Sequence, residues 1–465
     1  METMAGLKRK KKASEFPEII PVWEAIRKGD IFTKLTCLIM GAGNLARKQI
    51  VQGLLFLAGE IAYLCFMAFY GVNALYDFIT LGTETQNKVF NEAKQIYEYT
   101  TGDNSQLCLL YGVITIFVTI GFILLWRGAV RSAYIGQVAA EQGKKPVKFG
   151  EIIRDLKDNR MYHVFLFFPF MGIILFTVMP LIFMILMAFT NYDRDHLPPG
   201  KLFDWVGLEN FGRVLNAGGS LGLTFWKVLG WTLVWAVFAT FLNYILGIIL
   251  AMIINREDTK IKGFWRFIFV LTIAVPQFVS LLVVNTMIQE HGVFNLMLKE
   301  LFGVGPLPFL TNATWARVTV IIVNLWVGIP YTLIAVTGIL KNIPAELYEA
   351  AKVDGANAFV TFFKITMPYM MFVMTPQLIV TFTQNINNFN VIFLLTNGAP
   401  ASDAYYRGTA GKTDLLVTWL YKLTIDNKDY NLGAVIGILT FILMATLSLL
   451  TYRNTGSYKN EEGFS

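Results

Sequence analysis

The sequence predicts an all-α polytopic membrane protein with eight transmembrane helices. Of its 465 residues, 55% are hydrophobic and only 15% are charged, whereas a soluble domain is nearer ~25% charged. A transmembrane helix needs ~20 predominantly apolar residues, and eight segments meet that requirement. They are residues 54–72, 107–126, 164–190, 226–254, 267–288, 318–340, 369–395 and 433–452.

The fifth and the sixth of these segments contain a proline near the middle. Pro276 lies in the fifth and Pro330 in the sixth. Membrane helices tolerate proline because neighbouring groups satisfy the freed carbonyls, and the loosened backbone often serves a function. We therefore count both segments as spans.

The distribution of basic residues predicts the orientation of the spans. With the N-terminus inside, the predicted cytoplasmic pieces hold 27 Lys and Arg residues, against 11 in the predicted outside loops. Cytoplasmic loops carry the excess of Lys and Arg. The sequence thus places both termini in the cytoplasm of a multi-pass cell-membrane protein.

The spans and charges suggest a division of the chain. We expect a basic cytoplasmic N-terminal segment, a pair of helices, a cytoplasmic linker, a six-span core and a cytoplasmic tail. No cleavable signal peptide is evident, and the basic run at 8–12 favours anionic lipid over nucleic acid as its partner. The boundaries are 1–53, 54–126, 127–163, 164–453 and 454–465.

The sequence contains no residue pattern typical of a catalytic, metal-binding or cofactor-binding site. The three cysteines and three histidines are scattered, without the spacing of a metal or redox site. Gly411-Lys412-Thr413 resembles the end of a phosphate-binding loop, but Tyr406 stands where that pattern needs glycine. We therefore expect neither a catalytic site nor a metal, and no cofactor held by this chain.

The most informative stretch lies at residues 344–368, between the sixth and seventh predicted spans. It reads Glu349-Ala350-Ala351, three residues, Gly355, nine residues, and Ile-x-Met-Pro ending at Pro368. We predict a helix, a turn, and a second short helix over 357–366 before the chain re-enters the membrane.

The residue types of this stretch suit a docking helix on the cytoplasmic side. Pro344 can begin a helix because a missing N–H costs nothing there, and Asp354-Gly355 predicts its end. The alanines are strong helix formers of minimal bulk, and the glutamates offer charge to a basic pocket. The residues predicted to contact a partner are Glu346, Glu349, Ala350, Ala351, Asp354 and Gly355.

This pattern resembles the Glu-Ala-Ala loop by which permeases of ATP-binding-cassette (ABC) importers dock on their ATPase subunits. From about residue 164 onward the chain also resembles the MalF-type subunit of maltose/maltodextrin ABC importers. The supporting stretches are residues 324–331, 385–389, 394–400 and 413–416. The resemblance implies a six-helix type I importer core preceded by a helix pair, with a much shorter outside loop at 191–225 than the enterobacterial subunit carries.

Polar residues crowd three of the predicted spans. Such residues are costly in a membrane and usually face a bundle interior or a cavity. In the seventh span, Thr381, Gln384, Asn385 and Asn388 share one helical face by their spacing. Uncharged amides and an aromatic ring suit a sugar, although interhelical packing alone could also explain any single amide.

The resemblance points to the same positions as the sugar site. The residues that it implies are Gln277, Asn324, Gly328, Tyr331, Thr381, Gln384, Asn385 and Asn388, together with Ile273. Four of these positions differ from the residues usual in that subunit: Ile273 stands in place of Tyr, Gln277 and Thr381 each in place of Ser, and Gln384 in place of Phe.

These inferences predict the non-catalytic permease subunit of an oligosaccharide importer, for maltose or maltodextrin. The resemblance implies four kinds of partner: a second, MalG-like permease, two MalK-like ATPase subunits carrying ATP and Mg²⁺, an extracytoplasmic sugar-binding protein, and the sugar. Raffinose-, arabino- or galacto-oligosaccharides are alternative substrates. A self-sufficient secondary transporter and a non-transporting scaffold are alternatives of other classes.

Overall fold

A computed structural model describes residues 21–158, 160–256 and 258–453. The basic run at 8–12 and the predicted tail at 454–465 lie outside the described residues. The described chain is mainly helical, with seven helices long and apolar enough to cross a membrane, and eight spans if one bent pair is counted. In order, the spans are Ile50–Thr80, Ser105–Glu141, Met161–Met187, Ser220–Asn255, Lys262–Ala274 with Gln277–Met287, Ala313–Asn342, Ala358–Leu395 and Tyr430–Arg453. The predicted fold class is confirmed.

Several spans are longer than their apolar runs. The second was predicted over 107–126, but its helix runs from Ser105 to Glu141. Asn104 caps its start by accepting hydrogen bonds from the backbone N–H groups of Gln106 and Leu107. The extension past the apolar run is stabilised by the rest of the chain, since Ala129, Val130 and Ala133 are fully buried.

The fifth span is broken, although the sequence predicted one continuous segment. Its halves, Lys262–Ala274 and Gln277–Met287, meet at 90°. Val275 has φ −81° and ψ 126°, and Pro276 has ψ 127°, so both residues leave the helical region. A proline disfavours the helical conformation of the residue before it, which gives the break its local cause.

The seventh span begins earlier than predicted and is interrupted near its end. Its helix starts at Ala358, passes a π-helical turn at Phe362–Thr366 and continues as Met367–Ile386. The predicted separate short helix at 357–366 is therefore wrong, because it is continuous with the span. Pro368 has no N–H for the carbonyl four residues earlier, which accounts for the widened turn. The helix then breaks at Asn387 and Asn388, and the helix Phe389–Leu395 completes the span.

Shorter elements connect the spans. The helices are Val22–Lys28, Ile31–Leu35, Ala42–Ala46, Phe149–Asp158, Glu209–Leu215, Val293–Phe302, Ala345–Val353 and Leu416–Tyr421. Between the first two spans, strands Lys88–Asn91 and Ile96–Tyr99 form an antiparallel hairpin in which Lys88 pairs with Tyr99. We did not predict this hairpin, because both strands are only four residues long.

The chain divides into two compact units. The first ends at Met184 and also takes in His196–Asp204; the second comprises Ile185–Asp195 and the chain from Trp205 onward. The third span thus lies mostly in the first unit. The functional division of the chain at residue 164 stays a prediction.

In the first unit, three short N-terminal helices pack beside the second span through a partly buried polar network. Arg47 donates to both carboxylate oxygens of Asp30 at 2.7 Å. Gln137 accepts from the Asp30 N–H at 2.8 Å and from the Thr33 hydroxyl at 3.0 Å. Glu60, in the first span, accepts from the Met40 N–H at 2.7 Å.

In the second unit, the fourth span is central. Its Trp235 and Ala239 join a buried cluster with residues of the fifth, sixth and seventh spans, and its Tyr244 and Ile248 join a second. Gly247 allows the sixth span to approach closely, because a Cβ there would lie 2.5 Å from a Thr332 methyl. These contacts place the polar residues of four spans around one space.

A folded segment at 396–429 joins the last two spans. Asp414 is fully buried and accepts from Lys422 Nζ at 2.7 Å and from Thr418 Oγ1 at 2.8 Å. Burial raises the pKa of Asp414 above its usual range, although Lys422 opposes the shift. Thr413 is buried and bonds the Thr396 hydroxyl at 2.8 Å, so the Gly-Lys-Thr triplet has a structural role.

Candidate functional site

The second unit encloses a polar cavity of about 630 Å³ between the fourth, fifth, sixth and seventh spans. Eight of the nine residues implied for the sugar site line it. They are Gln277, Asn324, Gly328, Tyr331, Thr381, Gln384, Asn385 and Asn388. Their binding role stays a prediction, but the structure brings them together.

Both helix breaks lie at the wall of this cavity. Gln277 is the first helical residue after the Pro276 break, and Asn387 and Asn388 form the break in the seventh span. Asn390, just beyond, donates to Gln277 Oε1 across 3.5 Å. Irregular backbone at membrane depth is tolerated where it lines a cavity, and these two breaks meet that condition.

The polar face of the seventh span differs in one residue from its prediction. Thr381, Gln384 and Asn385 are helical, but the helix ends at Ile386 and Asn388 is extended, with φ −75° and ψ 90°. Asn388 caps the next helix by accepting from the Val391 N–H at 3.3 Å. Its side chain still reaches the shared face, because its Nδ2 donates to Asn385 Oδ1 at 3.4 Å.

The sixth span supplies a second polar row. Asn324, Gly328 and Tyr331 follow each other at helical spacing and line the cavity. Asn324 is buried and makes no side-chain hydrogen bond with another described residue, which leaves its amide for a solute. The Tyr331 ring is 58% exposed and can cover the apolar face of a sugar.

Gly328 is needed for a steric reason. A Cβ at this position would lie 2.4 Å from Asn243 Nδ2 and 2.7 Å from Asn243 Oδ1. The absent side chain therefore makes room for an amide of the fourth span.

The fourth span contributes residues that the sequence analysis missed. Thr240 Oγ1 accepts from Asn385 Nδ2 at 3.0 Å, and Asn243 Nδ2 donates to the Ala239 carbonyl at 2.6 Å. The Asn243 Oδ1 atom is buried without a hydrogen-bond partner. A buried unpaired acceptor is costly, so a donor group on a solute would stabilise it. The sequence feature that could have identified this span as part of the site is Asn243, an amide in the middle of an apolar run.

Ile273 is the one implied position outside the main cavity. It lines a neighbouring cavity of about 90 Å³, whose wall also includes Gln277, Trp326 and Tyr331. Gln277 and Tyr331 are shared by both cavities, so a change at Ile273 can still alter the site through them.

The side chains that line the main cavity suit a neutral polyhydroxylated solute. Among the described residues that line it there is no Asp, Glu, Lys, Arg or His side chain. Amides dominate, from Asn243, Gln277, Asn324, Gln384 and Asn385, and each amide can donate and accept. Hydroxyl groups need both functions.

The stretch at 344–368 begins with a mostly exposed helix and a turn. The helix spans Ala345–Val353, with Pro344 as its cap and not its first residue. Gly355 has φ +71°, and the Ala356 N–H donates to the Ala351 carbonyl at 2.9 Å, a glycine-ended helix of the kind that Asp354-Gly355 predicted. Ala351 is buried; Glu346, Glu349, Ala350, Asp354 and Gly355 are exposed.

Large apolar side chains close to these residues in sequence are exposed as well. Val353 is 87% exposed and Phe359 is 71% exposed, and Leu347 and Phe363 are also exposed. A contiguous exposed apolar surface marks an interaction site. The Tyr348 hydroxyl lies 3.1 Å from the Thr366 hydroxyl and so joins this helix to the base of the seventh span.

Comparison with known proteins places the chain among transport proteins. Residues 243–455 match the profile described as "Binding-protein-dependent transport system inner membrane component". The chain is 35% identical over 435 residues to the galactooligosaccharides transport system permease protein GanP of Bacillus subtilis, covering 92% of this chain and 98% of GanP. It is 31% identical over 442 residues to the maltodextrin transport system permease protein MdxF of the same organism, covering 92% and 96%.

Two further similarities are partial. The chain is 39% identical over 270 residues to the maltose/maltodextrin transport system permease protein MalF of Escherichia coli, covering 57% of this chain and 52% of MalF. Among solved structures, a chain of a bacterial ABC transporter that imports the acidic polysaccharide alginate superimposes with a TM-score of 0.52 at 22% identity. That superposition covers 65% of this chain and 97% of the other, and it supports the fold alone.

Proposed function

Because this chain belongs to the family of inner membrane components of binding-protein-dependent transport systems, we propose that it carries a neutral oligosaccharide through the polar cavity and couples that movement to an ATPase through residues 344–368. It is a non-catalytic, multi-pass permease subunit of a sugar ABC importer, as its relatives are. This membership sets aside the secondary-transporter and scaffold alternatives.

The observation that carries the substrate class is the uncharged lining of the cavity. An acidic polysaccharide would need compensating cations, and the described lining has no Lys, Arg or His. The amides and the exposed Tyr331 ring fit hydroxyl groups and a pyranose face instead. The volume of about 630 Å³ has room for more than one sugar ring.

Maltodextrin is the first candidate within this class, because the chain is similar along its length to a maltodextrin permease. In addition, the chain resembles the MalF-type subunit at residues 324–331, 385–389, 394–400 and 413–416. Galacto-oligosaccharide is the second. The full-length similarity to GanP favours it, and so do Ile273, Gln277, Thr381 and Gln384, which differ from the residues usual in MalF-type subunits. The two sugars differ in linkage and hydroxyl orientation, which these four positions would sense.

The proposed coupling surface is the helix Ala345–Val353. Its exposed glutamates can pair with a basic groove, and its exposed apolar side chains can fill that groove. We assign Glu346 and Glu349 the ionic contacts and Val353 an apolar contact. Ala350 allows close approach, and Gly355 turns the chain back toward the membrane.

The proposed assembly contains this chain, a second homologous permease, two ATPase subunits that bind ATP and Mg²⁺, and an extracytoplasmic sugar-binding protein. Both termini and the helix Ala345–Val353 face the cytoplasm in this proposal. ATP-driven closure of the ATPases would move this helix, and the motion would pass up the seventh span to the cavity. The sugar would enter from the binding protein and leave toward the cytoplasm.

The test is uptake of labelled maltotriose and galactotriose by cells that carry the intact importer. We expect uptake of one sugar, and we expect Glu349→Lys to reduce that uptake at least tenfold. Glu300→Lys makes the same charge change at an exposed position on Val293–Phe302, and it should transport normally.

The outcomes separate the two parts of the proposal. Galactotriose uptake alone, lost in Glu349→Lys, would keep the coupling and replace maltodextrin by galacto-oligosaccharide. Equal uptake in wild type and Glu349→Lys would contradict the coupling surface. Transport of neither sugar, with uptake of an acidic oligosaccharide, would overturn the substrate class.

A further inference from the structure

The first unit contains a further pocket, remote in sequence from the sugar cavity. It has a volume of about 470 Å³ and is lined by Pro21, Val22, Trp23, Trp126, Arg127 and Arg131. Two guanidinium groups and two indoles thus meet at the junction of the N-terminal segment with the second span. The lining includes no carboxylate among the described residues.

The two arginines lack partners within the described chain. Neither guanidinium makes a hydrogen bond or ion pair with a described residue, and the Nε atom of Arg131 is buried without a partner. The carboxylates of residues 21–53 are engaged elsewhere, Glu24 with Lys28 at 2.6 Å and Asp30 with Arg47 at 2.7 Å. A buried unpaired group of a charged side chain is costly, so the pocket favours an anion.

The pocket lies where a membrane surface should be. The apolar run of the second span ends at Trp126, and Arg127 follows at once. Tryptophan is enriched at the membrane–water interface, and Arg and Lys mark the cytoplasmic side. The Trp126 indole is held in place because its Nε1 donates to the Cys37 carbonyl at 3.1 Å.

We propose that this pocket binds the phosphate of an anionic phospholipid headgroup. Arginine pairs with phosphate oxygens through two parallel hydrogen bonds, and Arg127 and Arg131 lie one helical turn apart on the same face. Basic pockets beside membrane helices on the cytoplasmic side suit anionic headgroups. A lipid there would tie the N-terminal helices to the second span.

A lipid fits the pocket better than a phosphate from the water phase. The remaining walls are apolar, from Pro21, Val22 and the two indoles. Below the pocket, Ile123 and Leu124 are 48% and 59% exposed, so acyl chains below a bound headgroup would meet apolar side chains. This inference does not depend on which sugar is transported.

The test measures lipid binding to the purified full-length chain in detergent by native mass spectrometry. We expect dioleoyl-phosphatidylglycerol to bind at least tenfold more tightly than dioleoyl-phosphatidylcholine. The double variant Arg127→Gln with Arg131→Gln should lose that preference. The matched control is Arg154→Gln with Lys157→Gln, which removes two charges from the helix Phe149–Asp158 of the same unit and should retain it.

The outcome of this test and three further measurements decide the proposal and the source of the anion. Unchanged phosphatidylglycerol binding in a correctly folded double variant would overturn the proposal. Competition by glycerol 1-phosphate at the concentration of the lipid would overturn the lipid source. Tighter lipid binding after removal of residues 1–20 would show that the chain itself fills the pocket, which also overturns it. If the double variant fails to fold, Arg127→Lys with Arg131→Lys replaces it, and a several-fold loss of binding there supports arginine–phosphate pairing.

Discussion

At the residue scale, the cavity depends on how few atoms occupy one position of the sixth span. Gly328 leaves the space that Asn243 fills, and the orphaned Oδ1 of Asn243 lies beside it. The residue implied by a resemblance to sugar-binding permeases thus has a packing role that the resemblance did not reveal. Its smallness shapes the wall on which other side chains could hold the sugar.

Gly328→Ala should damage the site. The added methyl would displace Asn243 or separate two closely packed helices, and overpacking of this kind costs about 1–3 kcal/mol. We expect a lower melting temperature of the purified permease and uptake reduced at least tenfold. Gly338→Ala is the matched control, because a Cβ there meets nothing within 4 Å. A Gly328→Ala protein as stable and active as that control would refute the steric role.

The residues of the cavity were largely predictable from the sequence, and the exceptions have a physical reason. Thr381, Gln384 and Asn385 form a polar face whose helical spacing is visible in the chain itself. Thr240 and Asn243 are isolated in an apolar span, where an amide fits interhelical packing as well as a binding site. Their place on the cavity wall, which only the folded chain reveals, favours the binding site.

At the element scale, the cavity is built from interruptions of helices. Apolar length predicted the spans, but it could not predict the 90° bend at Val275–Pro276. Pro330 and Pro376 also lie within spans, and there the helix continues. A proline permits a break without requiring one, so the choice depends on the tertiary contacts of each span. At Pro276 the break directs Gln277 into the cavity.

Pro276→Ala should restore a hydrogen-bond donor and favour a straighter fifth span. Gln277 would then leave the cavity wall, and we expect uptake to fall while the protein still folds. The measurement pairs uptake with cross-linking of Gln277→Cys to Asn390→Cys by a short bifunctional thiol reagent, because the terminal atoms Gln277 Oε1 and Asn390 Nδ2 are 3.5 Å apart. Pro330→Ala, at a proline inside a continuous helix, should leave the cross-link intact. Efficient cross-linking in Pro276→Ala would mean that the proline does not cause the break.

At the scale of the whole molecule, one long element joins the two proposed functional regions of the second unit. The helix that begins at Ala358, just after the turn at Gly355, reaches Ile386 through the π-helical turn. The same continuous helix therefore carries Thr381, Gln384 and Asn385 and, at its N-terminal end, adjoins the proposed coupling helix. This continuity was hidden from the sequence because Pro368 suggested a new beginning.

The coupling helix is linked to the seventh span by the contact of the Tyr348 hydroxyl with the Thr366 hydroxyl, at 3.1 Å. If the coupling helix moves the seventh span, Tyr348→Phe should weaken the interaction between the two helices by about 1 kcal/mol, the net contribution of a typical hydrogen bond. We expect the number of sugars transported per ATP hydrolysed to fall by up to about fivefold in the assembled importer in proteoliposomes, with the ATPase rate largely retained.

Tyr369→Phe is the matched control, because its hydroxyl makes no hydrogen bond with a described residue. A parallel loss of uptake and hydrolysis in Tyr348→Phe would indicate impaired assembly. An unchanged ratio of transport to hydrolysis would show that the coupling helix drives the cavity by a route other than this contact.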